Sequence, residues 1–307
     1  MPNFGLSYNP NDNTMMKRTY LVLLTTLLGL ALVSCQQAVV DDASDASSEG
    51  KMTVNINVVQ FEQVPFSQAA APQSSRATNI DSIVTKLCFA VYSSASDTHP
   101  KTIIQQKGDS DFGKATFKLD KGTYYLVVLA HKSTIDPDMS NINVIDFKQY
   151  VTDTFYAYDT LTIDQSLNKE LKLRRAVARF ELSTTDNIPD SCTRLQLVLS
   201  NVCTAFNPVT GYGTAPAEKN YRSNFKSGET GKPFSFGRCF FPTAEDSKTD
   251  VTLSLYTNEK QTFTRTFPDV PIRRNTVTRY IGRLFSEQFL SVSMQSDDEW
   301  NVNTVTF

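Results

Sequence analysis

Met52-Thr53-Val54-Asn55-Ile56-Asn57-Val58 alternates apolar and polar side chains at every step. Successive side chains of an extended chain point to opposite faces, so this stretch reads as a strand with one face buried and the other wet. The pattern recurs. Ala115, Phe117 and Leu119 alternate with Lys114, Thr116 and Lys118, and Leu195, Leu197 and Leu199 with Arg194 and Gln196. Val251, Leu253 and Leu255 alternate with Thr252 and Ser254, and Leu290, Val292 and Met294 with Ser291 and Ser293. More strands are expected over 84–92, 123–130, 155–163, 263–267 and 277–285. One long strand is expected to run from Leu171 through Leu173, Ala176, Ala178 and Phe180 to Leu182. No long stretch keeps a 3.6-residue period; the best helical candidate is the short segment 143–151. The segment 204–236, rich in Gly, Asn and Pro, reads as a loop with an irregular short strand. Twenty Phe and twelve Tyr against one Trp, Trp300, suit a strand-rich chain. Many short strands punctuated by turns predict an all-β chain of sandwiches.

A length of 307 residues suits roughly two domains, and 40% hydrophobic residues suffice for packed cores. The turn cluster Asp164-Gln165-Ser166-Leu167-Asn168 marks the boundary region. The expected division is an N-terminal β-sandwich over 51–173 and a C-terminal β-sandwich over 174–307. The net charge of −2 argues against a nucleic-acid partner. Two histidines, His99 and His131, exclude a His-rich metal site, and His131 reads as a strand-end residue. No G-x-S-x-G, P-loop, G-x-G-x-x-G or H-E-x-x-H motif occurs, so no catalytic residue, cofactor or metal is expected. Asp136-Pro137-Asp138-Met139-Ser140 lacks the Gly and distant Glu of a calcium loop and reads as a solvated turn. Cys88, within Leu87-Cys88-Phe89, reads as a buried free thiol. Cys203 and Cys239 are either a disulfide or two small apolar core residues.

The N-terminus carries a targeting segment. Lys17-Arg18 precedes the apolar stretch Tyr20–Val33, which is too short to span a bilayer. Leu32-Val33-Ser34-Cys35 resembles the lipobox of bacterial lipoproteins. That resemblance implies a signal peptide over 1–34, cleavage before Cys35 and lipidation of its sulfur. Residues 1–14 fit no signal, which points to a start at Met15 or Met16. Removal of Asp12, Lys17 and Arg18 with the leader leaves 28 basic and 31 acidic residues, a net of −3. The lipid rather than charge would then hold the chain to a membrane, and several acyl chains suffice for that. Residues 35–50, with Asp41, Asp42, Asp45, Ser47 and Ser48, read as a flexible tether.

The order of lipobox, tether, strand, sandwich and Arg-flanked strand into a second sandwich carries a family resemblance. Local phrases carry it too: Gly122-Thr123-Tyr124-Tyr125 before Leu126–Ala130, Arg175-Ala176-Val177-Ala178-Arg179-Phe180 with Ile188-Pro189, Phe240-Phe241-Pro242, and Arg274-Asn275 with Thr278 and Gly282. Read alone, Arg175 and Arg179 sit on a solvated strand face and Asn275 suits a turn with positive φ. Together the phrases resemble the fimbrial subunits of Bacteroidetes, particularly the fimbrillin-associated anchor lipoproteins. The resemblance implies two tandem transthyretin-like (Greek-key) β-sandwiches. It implies a structural lipoprotein of cell-surface fimbriae, joined to other fimbrial subunits by donor strands and to the outer membrane by the Cys35 lipid. It also implies that stalk subunits lose their first strand by cleavage after an Arg. Arg76-Ala77, behind the small, polar run Ala69–Ser75, is the candidate site here. A stalk or tip fimbrillin cut after Arg76 is the first alternative, and a surface glycan-binding lipoprotein the second.

Overall fold

The computed structural model describes residues 50–61, 83–148, 151–226, 229–285, 294–297 and 300–306. Cys35, Arg76, Ala77, Leu290 and Val292 lie outside them, as do the leader and all of the tether but Gly50. Nineteen strands form among the described residues. Where the sequence alternates, the burial alternates: Ala115, Phe117 and Leu119 point inward while Lys114, Thr116 and Lys118 face solvent.

Seven strands build the first sandwich: β1 (Met52–Phe61), β2 (Lys86–Tyr92), β3 (Lys101–Gln106), β4 (Lys114–Leu119), β5 (Gly122–His131), β7 (Phe155–Ile163) and β8 (Leu167–Arg175). Their hydrogen-bonded order is β3-β2-β5-β7-β8-β1-β4. β8 turns the corner between layers. Its Leu167–Leu173 stretch pairs in parallel with β1, while Arg174 and Arg175 pair with Tyr156 and Phe155 of β7. Both layers contribute to one core that includes Ile56, Phe89, Phe117, Val128, Leu161 and Leu171.

The two end strands, β3 and β4, share no ladder; side chains bridge them. Gln105, 2% exposed, accepts the Gly113 N–H at 3.0 Å and donates to the carbonyls of Lys114 at 2.6 Å and Asp111 at 3.1 Å. Lys101 Nζ donates to the Lys118 carbonyl at 3.0 Å. One buried amide thus satisfies backbone groups that a ladder would otherwise have to serve.

The second sandwich has a four-stranded sheet in the order β13 (Ala217–Asn224), β10 (Arg194–Val202), β15 (Ser247–Thr257) and β16 (Lys260–Ile272). Facing it are β14 (Pro233–Phe240), β9 (Ala178–Asn187), β17 (Thr276–Gly282), β19 (Trp300–Thr306) and β18 (Met294–Asp297), in that order. Their shared core includes Phe180, Leu182, Leu197, Phe236, Leu253 and Tyr280.

Backbone pairing also crosses between the two halves. β6 (Ile145–Asp146) pairs with β11 (Ala205–Asn207), which pairs with β12 (Tyr212–Thr214). A third apolar cluster joins Cys88, Tyr92, Val127 and Leu129 to Phe147, Phe206, Cys239 and Phe241. β2 and β5 are therefore buried on both faces, which accounts for their unbroken apolar runs. The described residues from Lys51 onward form one compact unit.

At this junction lies Arg175, with no solvent exposure. Its guanidinium grips Asp153 with Nε at 2.7 Å and Nη2 at 3.2 Å, and Nη1 donates to Asn275 Oδ1 at 2.5 Å. It also lies 4.8 Å from the centre of the Phe155 ring. Asn275 adopts φ 57° and donates its backbone N–H to the Val177 carbonyl at 2.9 Å. Burial lowers the Arg175 pKa and Asp153 opposes that shift. The fork geometry is what lets a buried charge be kept.

Several expectations are corrected. The long strand from Leu171 to Leu182 is two strands, broken at Ala176-Val177, because Ala176 N–H bonds Thr154 and Val177 C=O bonds Asn275. The described residues of segment 143–151 hold β6 instead of a helix; Ile145, Phe147 and Val151 reach the junction, and Lys148 has φ 56°. The presumed loop 204–236 contains β11, β12, β13 and the start of β14. Arg175 faces a buried junction instead of solvent, and Arg179 is half-buried against Glu181 at 2.6 Å. Of the two readings of Cys203 and Cys239 the structure has the second, since both are unbonded thiols buried in the junction cluster.

Two predictions follow from these contacts. Asp153→Ala leaves Arg175 buried without its counter-charge and should destabilise the chain by about 3–5 kcal/mol, clearly more than Arg175→Met. Equal losses in urea denaturation would contradict the role given to Asp153. Gln105→Leu strands the Gly113 and Lys114 backbone groups and should lose about 2 kcal/mol. An unchanged denaturation midpoint would show that those groups find other partners.

Candidate functional site

β1 is a core strand with a ladder on either side. It lies between β4, to which it is antiparallel, and β8, to which it is parallel. Val54, Ile56 and Val58 are buried in the core between the layers. Each such side chain contributes about 2 kcal/mol relative to exposure. Sizes complement across the ladder: Ile56 stands opposite Ala115, and Val54 opposite Phe117. On the outer face Asn55 Nδ2 donates to Asn168 Oδ1 at 2.7 Å, and Thr116 Oγ1 donates to Asn55 Oδ1 at 2.9 Å. Lys118 Nζ donates to Thr53 Oγ1 at 2.6 Å.

The strand ends in a bulge. Val58 pairs with Leu171 and Gln60 with Lys172, which leaves Val59 unpaired and 42% exposed. The extra residue restores the inward direction for Phe61, opposite Leu173. Phe61 meets Phe155 edge-on, with ring centres 4.8 Å apart. Val58 N–H donates to Gly113 C=O at 2.8 Å, so the turn held by Gln105 also receives β1. β1 is the only strand laddered to β4 among the described residues. Beneath β1 there is thus a slot with an apolar floor and a backbone edge on either side.

A second constellation emerges from the register of β2 and β5, which the sequence did not reveal. Cys88 Sγ, a ring nitrogen of His131 and a carboxylate oxygen of Asp136 lie within 4.8 Å of one another. Cys88 and His131 have no solvent exposure, and their S···N distance is 3.6 Å. The trio has metal-ligand chemistry, but the hydrogen bonds oppose a metal. Ser133 N–H donates to His131 Nδ1 at 3.1 Å, so Nδ1 presents its lone pair and Nε2 carries the proton, aimed at sulfur. A metal on Nε2 would drive that proton to Nδ1, against the Ser133 N–H. Lys86 Nζ also holds Asp136 at 2.5 Å. Burial also pushes the Cys88 thiol up to about 12, which keeps it protonated. His131 does end β5, and Asp138 accepts the Ser140 N–H at 3.0 Å within its turn.

Burial pulls His131 down to about 4; Asp136 opposes this and Lys86 adds to it. The folded state holds the neutral ring, whereas the unfolded chain takes up a proton near pH 6.5. Stability should therefore be complete above pH 6.5 and fall by about 3 kcal/mol as the pH drops to 4. Glu181, Asp97 and Asp138, whose pKa values are lowered, lose their share only at or below the ordinary carboxylate range. His131→Gln should flatten the profile between pH 6.5 and 4.5 in urea denaturation; an unchanged slope would exclude His131 as its source.

Comparisons with solved structures return remote likenesses. A candidate adhesin from Bacteroides ovatus aligns at 11% identity and TM-score 0.45, covering 71% of this chain and 82% of that one. The fimbrial anchor protein Mfa2 from Porphyromonas gingivalis aligns at 16% identity and TM-score 0.37, covering 70% and 82%. Candidate polysaccharide-binding proteins from Bacteroides thetaiotaomicron align at 11% identity and TM-score 0.42, covering 70% and 80%. No curated protein sequence matches the chain. A family model does match over residues 44–306, nearly the whole of both sandwiches, and the chain belongs to that family, the "Family of unknown function (DUF6562)".

Proposed function

We propose that this chain is a structural lipoprotein of cell-surface fimbriae, an anchor or accessory subunit that joins other subunits by β-strand addition. The slot under β1 carries the reading. A core strand that enters from the N-terminal side, between two backbone edges, is a strand that another chain can replace with the same ladder and the same apolar floor. In the sequence, β1 connects to the rest of the sandwich through residues 62–82, which include Arg76-Ala77. A cut after Arg76 would separate β1 and Cys35 from the body together. The uncut chain keeps its slot filled and its lipid attached, which suits the base of a fibre at the outer membrane. The cut chain would present an open slot, which suits a stalk or tip.

Two measurements check this. N-terminal sequencing of protein from sheared fibres and from membranes should find Arg76-Ala77 largely uncut in the membrane fraction; a major species starting at Ala77 would assign the stalk or tip role. Cys35→Ala should abolish labelling by a fatty-acid probe and release the protein from membranes. Undiminished labelling of that variant would place the lipid elsewhere.

A further inference from the structure

We infer that the slot selects its incoming strand by an aromatic residue set one bulge beyond the apolar alternation. This inference rests on the strand-addition reading above and names the partner strand that the site accepts. The floor shows what each position admits. Apolar side chains are required at the places of Val54, Ile56 and Val58, with the larger one over Ala115 and the smaller one over Phe117. An unbroken alternation would carry the next inward position to residue 60. Instead Gln60 is exposed and pairs with Lys172, while Phe61 turns inward opposite Leu173. The end of the slot therefore asks for two polar or exposed residues after the last alternating one, and then an aromatic ring.

The ring has a built partner. Phe155, fully buried, takes the edge of Phe61 at 4.8 Å and lies 4.8 Å from the Arg175 guanidinium. Phe155 is fixed by β7 and by that cation, so its ring is in place whether or not a strand is seated. The recognition element is thus a strand of the form apolar-x-apolar-x-apolar-x-x-aromatic, parallel to β8 and antiparallel to β4. The bulge gives it a register, since a strand that slips by two residues along the ladder would put its ring over Leu171 or beyond the floor.

The test uses the full chain with a specific protease site introduced between Phe61 and Ile83, cut after folding. Fluorescent peptides covering residues 51–62 then compete for the slot. The native peptide should displace the bound strand, and the Val59→Ala peptide should match it. Phe61→Ala, and a peptide lacking Val59, should each compete at least about tenfold more weakly. Equal competition by these last two, while Ile56→Asp fails, overturns the bulge-and-ring rule and leaves strand addition standing. Exchange of Ile56→Asp as readily as the native peptide, or no exchange of any peptide, overturns strand addition at this slot and the rule with it. In the uncut chain, Phe61→Ala should speed hydrogen exchange at Val54–Val58; unchanged protection counts against the ring as an anchor.

Discussion

A guanidinium sealed from water holds the molecule's middle. Arg175 is the last residue of β8, and its partners include Asp153 and the Phe155 ring at the start of β7 and Asn275 from the turn before β17. A buried charge is tolerated only where its hydrogen bonds are filled with good geometry. That requirement fixes the end of β8 and, through Asn275, the entry to β17. Since β8 also supplies one backbone edge of the β1 slot, the slot and the junction share a single rigid strand.

The slot and the junction divide the labour of the first sandwich. Its inner face stores the apolar residues that β1 covers, and its outer face, on β2 and β5, is spent on the second half of the chain. A strand buried on both faces has no freedom to slide, whereas β1, wet on one face, is held by one layer of side chains and two ladders. Gln105 and Lys101 have a comparable place on the far side of β4, where they substitute for a missing ladder. The sandwich is therefore firm at β2, β5 and β8 and dependent on side chains around β4.

Strands with one wet face were legible from alternation alone, as β1, β4, β10 and β15 show. β3 and β13 were missed because edge strands with polar faces keep little apolar periodicity. The break at Ala176-Val177 was hidden because small apolar residues there pack into the junction and continue the pattern of β8 and β9. The helical reading of 143–151 failed because Ile145, Phe147 and Val151 serve that same junction. Of the site, Val54, Ile56 and Val58 were readable. Phe61 was not, because the bulge shifts it out of phase. Cys88 and His131 meet only through the pairing of two distant strands, which no local pattern encodes.

The direction of β1 has a mechanical consequence. The strand runs parallel to β8 and antiparallel to β4, so its axis lies along both of its ladders. A pull applied at Gly50 along that axis, with the body held at the opposite end, strains the rungs side by side rather than one after another. Shear of this kind demands that many hydrogen bonds fail together, along with the removal of Val54, Ile56 and Val58 from the core. A pull across the axis would peel the same strand rung by rung at far lower force. The orientation of a single strand thus makes β1 a grip that is strong lengthwise and weak sideways.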